Sequence, residues 1–441
     1  MTTSSSIDAA TERSGGAEVR SRFFALVRCC ICFGCAVGLV NDCLGIFATA
    51  VTQDLNIGIS QYSMIMTIIN IVSAVTTLGV SAMLQRYPLG RIMGIGAALC
   101  TASFLAMGSF VEIWQFYIAA VAIGAGMSCF STLPVAYALQ TWYGDKNGAV
   151  TGIAMGCSGV VGAIANPLCS ALITGVGFRM GFFAIGILFA LFALPATMTM
   201  KSGPFAPAAG SEADADAAEK NSEPTITSPA VRTGRATVLL IALSMCFTFM
   251  GCMTSHMAVF GQDEGFSLQF AATMVSSLMI ANILFKTLTG GVADRLGAIA
   301  ATRMSIVISM VGCVMLLQLG HIQTFALIGA LLFGASSALH TVAISLTTQY
   351  LARESYTKVF SKVTVAVALS YAIFISIAGA VRDLMGDYLL VFALALVAGI
   401  IALALTIAIR REHALTAASA AIYFPLQHRS RIEKKKVRQF L

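Results

Sequence analysis

The chain has 441 residues, of which 58% are apolar and only 11% are charged. That charged share is about half of what a soluble domain carries. A water-exposed fold of this size could not hide so much apolar surface, so bilayer is its natural solvent. The net charge of +7 does not argue for nucleic acid, because the basic residues are unevenly placed and their placement has a membrane meaning; no nucleic-acid partner is expected.

The first 22 residues are polar and rich in Ser, Thr and Gly, which predicts a disordered cytoplasmic N-terminus over 1–22. The first apolar run is too long for a signal-peptide core and has no convincing cleavage site. Apolar runs then recur at 24–51, 61–84, 92–111, 115–141, 148–174 and 180–200, and again at 236–260, 269–291, 300–319, 323–350, 360–381 and 387–409. Each reaches or exceeds the roughly 20 residues that a helix needs to cross the hydrocarbon core. Turn or polar residues separate them, as at Gln53-Asp54-Leu55-Asn56, Tyr87-Pro88 and Asp263-Glu264-Gly265.

One hydrophilic stretch breaks the rhythm. Residues 201–235 hold Pro204, Pro207, Pro224 and Pro229 and an acidic patch of Glu212, Asp214, Asp216 and Glu219, the composition of a flexible linker. The expected architecture is therefore an all-α polytopic membrane protein of 12 transmembrane helices. It divides into a six-helix bundle over 23–200, a cytoplasmic linker over 201–235, a second six-helix bundle over 236–410 and a basic tail over 411–441.

Lysine and arginine set the orientation. With the N-terminus inside, the inner loops carry Arg86, Arg91, Lys146, Arg295, Arg303, Arg353, Lys358 and Lys362, against only Arg179 and Arg382 outside. An even helix number then puts both termini in the cytoplasm. There the tail residues Lys434, Lys435, Lys436 and Arg438 face the anionic leaflet. The lipid bilayer is thus an expected partner, and the chain is expected to be a monomer.

Twelve cysteines invite a disulfide or metal reading. Most lie inside apolar runs, where a thiol acts as a small packing residue. The group Cys29, Cys30, Cys32 and Cys35 fits no standard zinc pair-of-pairs and has no histidine nearby in sequence. No metal and no cofactor are expected. There is no ATP-binding P-loop, no nucleophile–base pair and no metal constellation, so an enzyme is not expected either.

Two loops occupy the same place in the two halves. One reads Gly290-Gly291-Val292-Ala293-Asp294-Arg295-Leu296-Gly297; the other reads Gly79 … Gln85-Arg86-Tyr87-Pro88-Leu89-Gly90-Arg91. Glycines let helices approach closely, and an Asp beside an Arg at the interface can bridge to a neighbouring helix end. These loops resemble the G-x-x-x-D-R-x-G-R-R signature of the major facilitator superfamily. The second copy matches up to Gly297; in the first, Gln85 replaces the acid and the spacing before Gly90 is longer. The resemblance implies a conformational latch at Arg86, Gly90, Arg91, Asp294 and Arg295.

A further stretch, Trp142-Tyr143-Gly144-Asp145-Lys146-Asn147-Gly148 followed by Gly152, Gly156, Gly159, Gly162 and Pro167, is similar to the W-F-P-D-K-R-G loop and glycine-rich fifth helix of the oxalate/formate antiporter and monocarboxylate transporter branch. Gly148, Gly152 and Gly156 share a helix face, a smooth surface suited to a rocking bundle.

Lys286 carries the most weight. It stands eight positions before Asp294, so roughly 12 Å inside the interface at the rise of a helix. A cation at the midplane costs roughly 2.5–3.5 kcal/mol on insertion scales, which points to substrate or ion binding; the bland alternative is a structural ion pair. The segment Asn282 to Gly290 also resembles the eighth helix of the oxalate/formate and monocarboxylate branch, in which a cation binds the substrate carboxylate, and Lys286 falls at that position. Oxalate exchangers add a cation in helix eleven, whereas Val365 to Tyr371 has none, so a monoanion is expected.

Asp42 is the second buried charge, a candidate for proton coupling and equally a group that bonds a neighbouring helix. Asn70, Tyr137, His340 and Tyr371, with Asn282 and Lys286, are the expected substrate contacts. Asn166 is a further polar group on a cavity helix, and His256 reads as an interhelical donor. The expected function is secondary active transport of a small organic anion, a monocarboxylate, with a coupling proton or counter-anion, in a prokaryotic inner membrane. The alternatives are an efflux carrier for amphipathic compounds and a transporter-like solute sensor.

Overall fold

A computed structural model describes residues 4–144, 148–205, 233–339 and 356–439. The expected contacts or charges at His340, Lys146 and Arg353, and nearly all of the linker, lie outside these residues. Among the described residues the chain is helical throughout, with no strand. Among these residues eleven helices are long and apolar enough to cross a membrane. In chain order they are α1 (Val19–Leu55), α2 (Ile59–Leu84), α3 (Leu89–Met107), α4 (Ile113–Tyr143), α5 (Val150–Val176), α6 (Phe178–Met198), α7 (Thr237–Asp263), α8 (Leu268–Leu296) and α9 (Ala298–Leu319), then, after α10, α11 (Val365–Met385) and α12 (Leu389–Ala414). Between α9 and α11 the shorter apolar helix α10, Gln323–Ala338, runs up to the undescribed residues.

The spans differ from the apolar runs by a few residues at their ends, as where α1 starts at Val19 and α3 stops at Met107. At the start the helix begins at Ser4 and runs to Phe33, where a disordered lead is expected from composition. No proline interrupts 4–33, and a membrane helix already nucleated propagates into a polar segment at little cost. At the other end one helix runs from Leu389 to Gln439.

Alternation of the helices sorts the turns into two ends. The chain termini, the start of the linker at Lys201 and the two signature loops share one end, called here the linker end. The turns at 56–58, 108–112, 177, 264–267, 320–322 and 386–388 share the other, the far end. Two sharp turns need glycine. Gly177 and Gly297 have φ of +91° and +88° with ψ of 159°, a region that side chains with a Cβ essentially never enter. Gly297 of the signature loop is thus required by the turn between α8 and α9.

Small residues bring the helices of each half together. A Cβ on Gly96 of α3 would run into the Gly126 carbonyl of α4, and one on Gly312 of α9 would lie 2.8 Å from the Gly329 carbonyl of α10. The same close crossing thus recurs in both halves, and in lipid this contact is what drives association. Aromatic packing fills the wider gaps, as where Phe47 of α1 stacks on Phe182 of α6 with centroids 4.4 Å apart.

Helices α1, α4 and α7 are each broken near mid-length, and α10 is broken within its described part. In α1 a π-helical turn, Gly34–Leu39, runs into non-helical turns at 40–43. In α4 the break is at 129–131 and in α10 at 334–335. In α7 it is a 3-10 turn, Met253–His256. The break therefore falls on every third helix, the mark of a repeat of three within each half.

Candidate functional site

Among the described residues the two halves meet along three helix pairs, two of them toward the far end and the third, α5 with α8, reaching from there to mid-depth. Between α2 and α11, Thr67 Oγ1 donates to the Ala372 carbonyl at 2.5 Å and pairs with Ser376 Oγ at 2.7 Å. Between α1 and α7, Gln262 Nε2 donates to Thr49 Oγ1 at 3.0 Å, and Gly45 fits against the Ser255 carbonyl with no room for a methyl group. Between α5 and α8, Ser276 Oγ donates to the Ala163 carbonyl at 2.8 Å, and a Cβ on Gly159 would lie 2.9 Å from Ile283.

Toward the linker end the same helices part. Gly79 of α2, Gly152 and Gly156 of α5 and Gly290 and Gly291 of α8 have no atom within 4 Å of where a Cβ would stand. The glycine face of α5 is therefore engaged only at Gly159 and Gly162. The signature loops are likewise free at this end. Arg86, Arg91, Asp294 and Arg295 are exposed, and among the described residues they form no ion pair. Gly90 packs instead on the end of α6, where a Cβ would lie 2.6 Å from the Met200 carbonyl.

Where the seam changes from closed to open, several polar side chains converge. Asp42 sits in the break of α1 and presses on α5: a Cβ on Gly162 would lie 3.1 Å from Asp42 Cβ, and 3.2 Å from Met279 of α8. Lys286 lies two turns along α8 from Met279, and its charge and that of Asp42 act on one another. They are not in contact, because among the described residues no ion pair within 4.0 Å joins them. Tyr371 of α11 is in the field of Asp42 as well, and its hydroxyl pairs with Ser255 Oγ of α7 at 2.8 Å. Asn166 ties α5 to α1 by donating from Nδ2 to the Asp42 carbonyl at 3.0 Å and to its own Gly162 carbonyl at 2.8 Å.

Asp42 thus meets Asn166 of α5 at the seam, with Met279 of α8 on the same glycine and Lys286 two turns farther along α8, while Tyr371 reaches Ser255, whose carbonyl abuts Gly45 of α1. Asn282 lies one turn from Lys286 on the same face of α8 and is half-buried. Asn70 spends its amide on the Met66 carbonyl of its own helix, at 2.8 Å. Tyr137 is half-buried against the apolar core of the first half. His340 is outside the described residues. His256 is tied on both sides: Nε2 faces the Ile375 carbonyl at 2.9 Å, so it must carry the proton and donate, which leaves Nδ1 to accept from the Tyr388 hydroxyl at 2.9 Å.

Ser255, Thr49, Gln262 and Asp383 were not singled out from sequence. Asp383 is the most consequential, since its carboxylate accepts hydrogen bonds from the Ile59 and Ser60 amides of the other half at 2.9 and 2.7 Å.

A family model described as Major Facilitator Superfamily matches residues 29–366, and this match takes in both halves. The chain belongs to the major facilitator superfamily. Solved major facilitators share its fold. The nucleoside transporter NupG, crystallised as a point mutant, superposes with a TM-score of 0.70 at 12% identity over 89% of this chain and 99% of that one. The peptide transporter POT in complex with sulfate gives 0.66 at 14% identity over 90% and 95%. A bacterial homologue of the human lysosomal transporter Spinster, in an inward-facing and occupied conformation, gives 0.62 at 12% identity over 93% and 97%. A comparison with curated proteins gives no match. This major facilitator is thus a multi-pass membrane transporter, with a central seam closed at one end and open at the other.

Proposed function

We propose that this chain is a secondary active transporter of a small organic anion, a monocarboxylate, working by alternating access across a prokaryotic cell membrane. The observation that carries the reading is Lys286, a cation set on the seam between the halves with no ion-pair partner in contact among the described residues. A charge held there at such cost is kept for a ligand that neutralises it, and a substrate carboxylate does so. The α11 segment Val365 to Tyr371 supplies no second cation, which favours one carboxylate over two. Asp42, within the field of Lys286, is the coupling group, in symport or in exchange.

The excess of lysine and arginine in the linker-end loops supports placing that end in the cytoplasm. The seam is then open inward, and the free signature loops suit this state, because a latch there would hold the inner side shut. The test is uptake into proteoliposomes of a panel of monocarboxylates and dicarboxylates, with a nucleoside and a dipeptide as controls, for wild type and Lys286→Gln. Monocarboxylate uptake lost in the variant is the expected result. Unchanged uptake removes Lys286 from the mechanism, and preferred transport of a dicarboxylate, nucleoside or dipeptide removes the substrate assignment.

A further inference from the structure

The seam between α1 and α5 holds an arrangement that binding of an anion at Lys286 does not account for. Asp42 Oδ2 and Asn166 Oδ1 are both buried, and neither has a hydrogen-bond partner among the described residues. Both flank Gly162: Asp42 Oδ2 lies 3.3 Å from the position of a Gly162 Cβ, and Asn166 Nδ2 lies 2.8 Å from the Gly162 carbonyl. Asn166 is fully buried, and its amide cannot simply be reversed, because Nδ2 already serves two carbonyls. Two buried acceptors without a donor are costly, and such atoms call for an explanation.

The backbone beside them is also short of donors. In the break of α1 the Val37 carbonyl takes the amides of both Asn41 and Asp42, Val40 takes Leu44, and Cys43 takes Ile46. Among the described residues, the amides of Val40, Asn41 and Asp42 all turn to Val37, and no amide of the break reaches the carbonyls of Gly38, Leu39 or Asn41. Around the break the chain therefore offers a carboxylate oxygen, an amide oxygen and three backbone carbonyls that no amide of the break reaches. An all-oxygen set selects a hard cation, and unwound carbonyls in a broken membrane helix are a recurring way of holding one.

We infer that Asp42, Asn166 and the break of α1 form a binding site for a monovalent metal cation, Na⁺. A single proton on Asp42 would serve one oxygen and leave the carbonyls of the break unmet. A divalent ion is disfavoured by charge: with Asp42 and Lys286 already balancing, it would leave two uncompensated positive charges in a low-dielectric seam. A monovalent ion leaves one, and a bound monoanion cancels it. The empty seam is neutral, the seam with Na⁺ and a monocarboxylate is neutral, and either half-loaded form is not. The site therefore couples the two solutes one to one, as electroneutral symport. This coupling rests on the reading of Lys286 above; the binding of Na⁺ does not.

The test uses the purified full chain without substrate. Thermal unfolding is followed while NaCl replaces choline chloride at constant ionic strength, with KCl as a parallel arm. The expected result is a saturable upward shift in Tm with Na⁺, absent with choline, weaker with K⁺, retained in Lys286→Gln and lost in Asp42→Asn and Asn166→Ser. No Na⁺-specific shift in the wild type overturns the site, and that measurement depends on no variant folding. A shift that persists in Asp42→Asn overturns it as well. In proteoliposomes, uptake should follow an inward Na⁺ gradient and ignore an imposed membrane potential; uptake driven by a proton gradient in Na⁺-free buffer overturns the assignment. If Lys286→Gln keeps the Na⁺ shift and also keeps full uptake, it is the anion reading that fails.

Discussion

Asp383 of α11 caps the first turn of α2 across the boundary between the halves, with its carboxylate 2.7 Å from the Ser60 amide and 2.9 Å from that of Ile59. The first amides of a helix have no partner within it, and the positive end of the helix dipole favours an anion. Arg382 holds the acid in place. It makes a two-point pair with Asp263 of α7, at 2.7 and 3.1 Å, and its other nitrogen lies 3.8 Å from Asp383. Opening the far end must break this cap.

The first prediction follows from that cost. Asp383→Asn removes the charge and turns one acceptor into a donor facing an amide. A hydrogen bond to a charged group contributes roughly 1.5–3 kcal/mol, reduced here because the side chain is partly exposed. The variant should shift the balance of states toward far-end opening by about tenfold. The check is labelling of a single cysteine placed in the far half of the seam: its rate should rise in the variant, and an unchanged rate rules the cap out as a gate.

A second prediction concerns Thr49 and Gln262, whose side chains meet at 3.0 Å from opposite halves. Cysteines at both positions should cross-link readily with a short bifunctional reagent and arrest transport. Reduction, when the link is a disulfide, should restore it. A link that forms while transport continues would mean that the far end does not part during the cycle.

The third concerns His256, which is 3% exposed and bonded at both ring nitrogens. It joins α7, α11 and the turn that holds Tyr388. Replacement by Phe keeps the volume but leaves the buried Tyr388 hydroxyl unpaired, at about 1–3 kcal/mol, while the Ile375 carbonyl keeps the bond of its own helix. Thermal unfolding of the purified variant should show this loss. A stability equal to wild type would mean that water replaces the ring.

The helices were legible because each apolar run is long enough to span and has few charges to confuse it; Lys286 stood out for the same reason. The break in α1 was not legible, since a π-helical turn over Gly34–Leu39 leaves the apolar pattern unchanged. The break sets Asp42 against Gly162 of α5, where Met279 of α8 also packs, and nothing in the apolar pattern reveals that placement. Asn166 was visible as a polar residue, but its orphaned oxygen depends on the partner helix. Asp383 next to Arg382 looked like ordinary interfacial charge, and only the packing of α11 on α2 gives it a role. Asn70 shows the converse: a polar residue in a suitable helix whose amide turns back to its own Met66 carbonyl.

The last prediction separates turn chemistry from gating. Gly297 in the signature loop has open space around the position of a Cβ, yet its φ of +88° is one that only glycine adopts freely. Gly45 has an ordinary backbone but abuts the Ser255 carbonyl of the other half. Gly297→Ala should therefore cost about 1–3 kcal/mol of stability through backbone strain and leave the balance of states alone. Gly45→Ala should leave the first half intact, since the collision arises only when the far end is shut, and should favour the far-open state. Thermal unfolding together with far-side cysteine labelling distinguishes the two. A Gly45→Ala variant that is less stable but labels at the wild-type rate would show that the contact between α1 and α7 does not take part in gating.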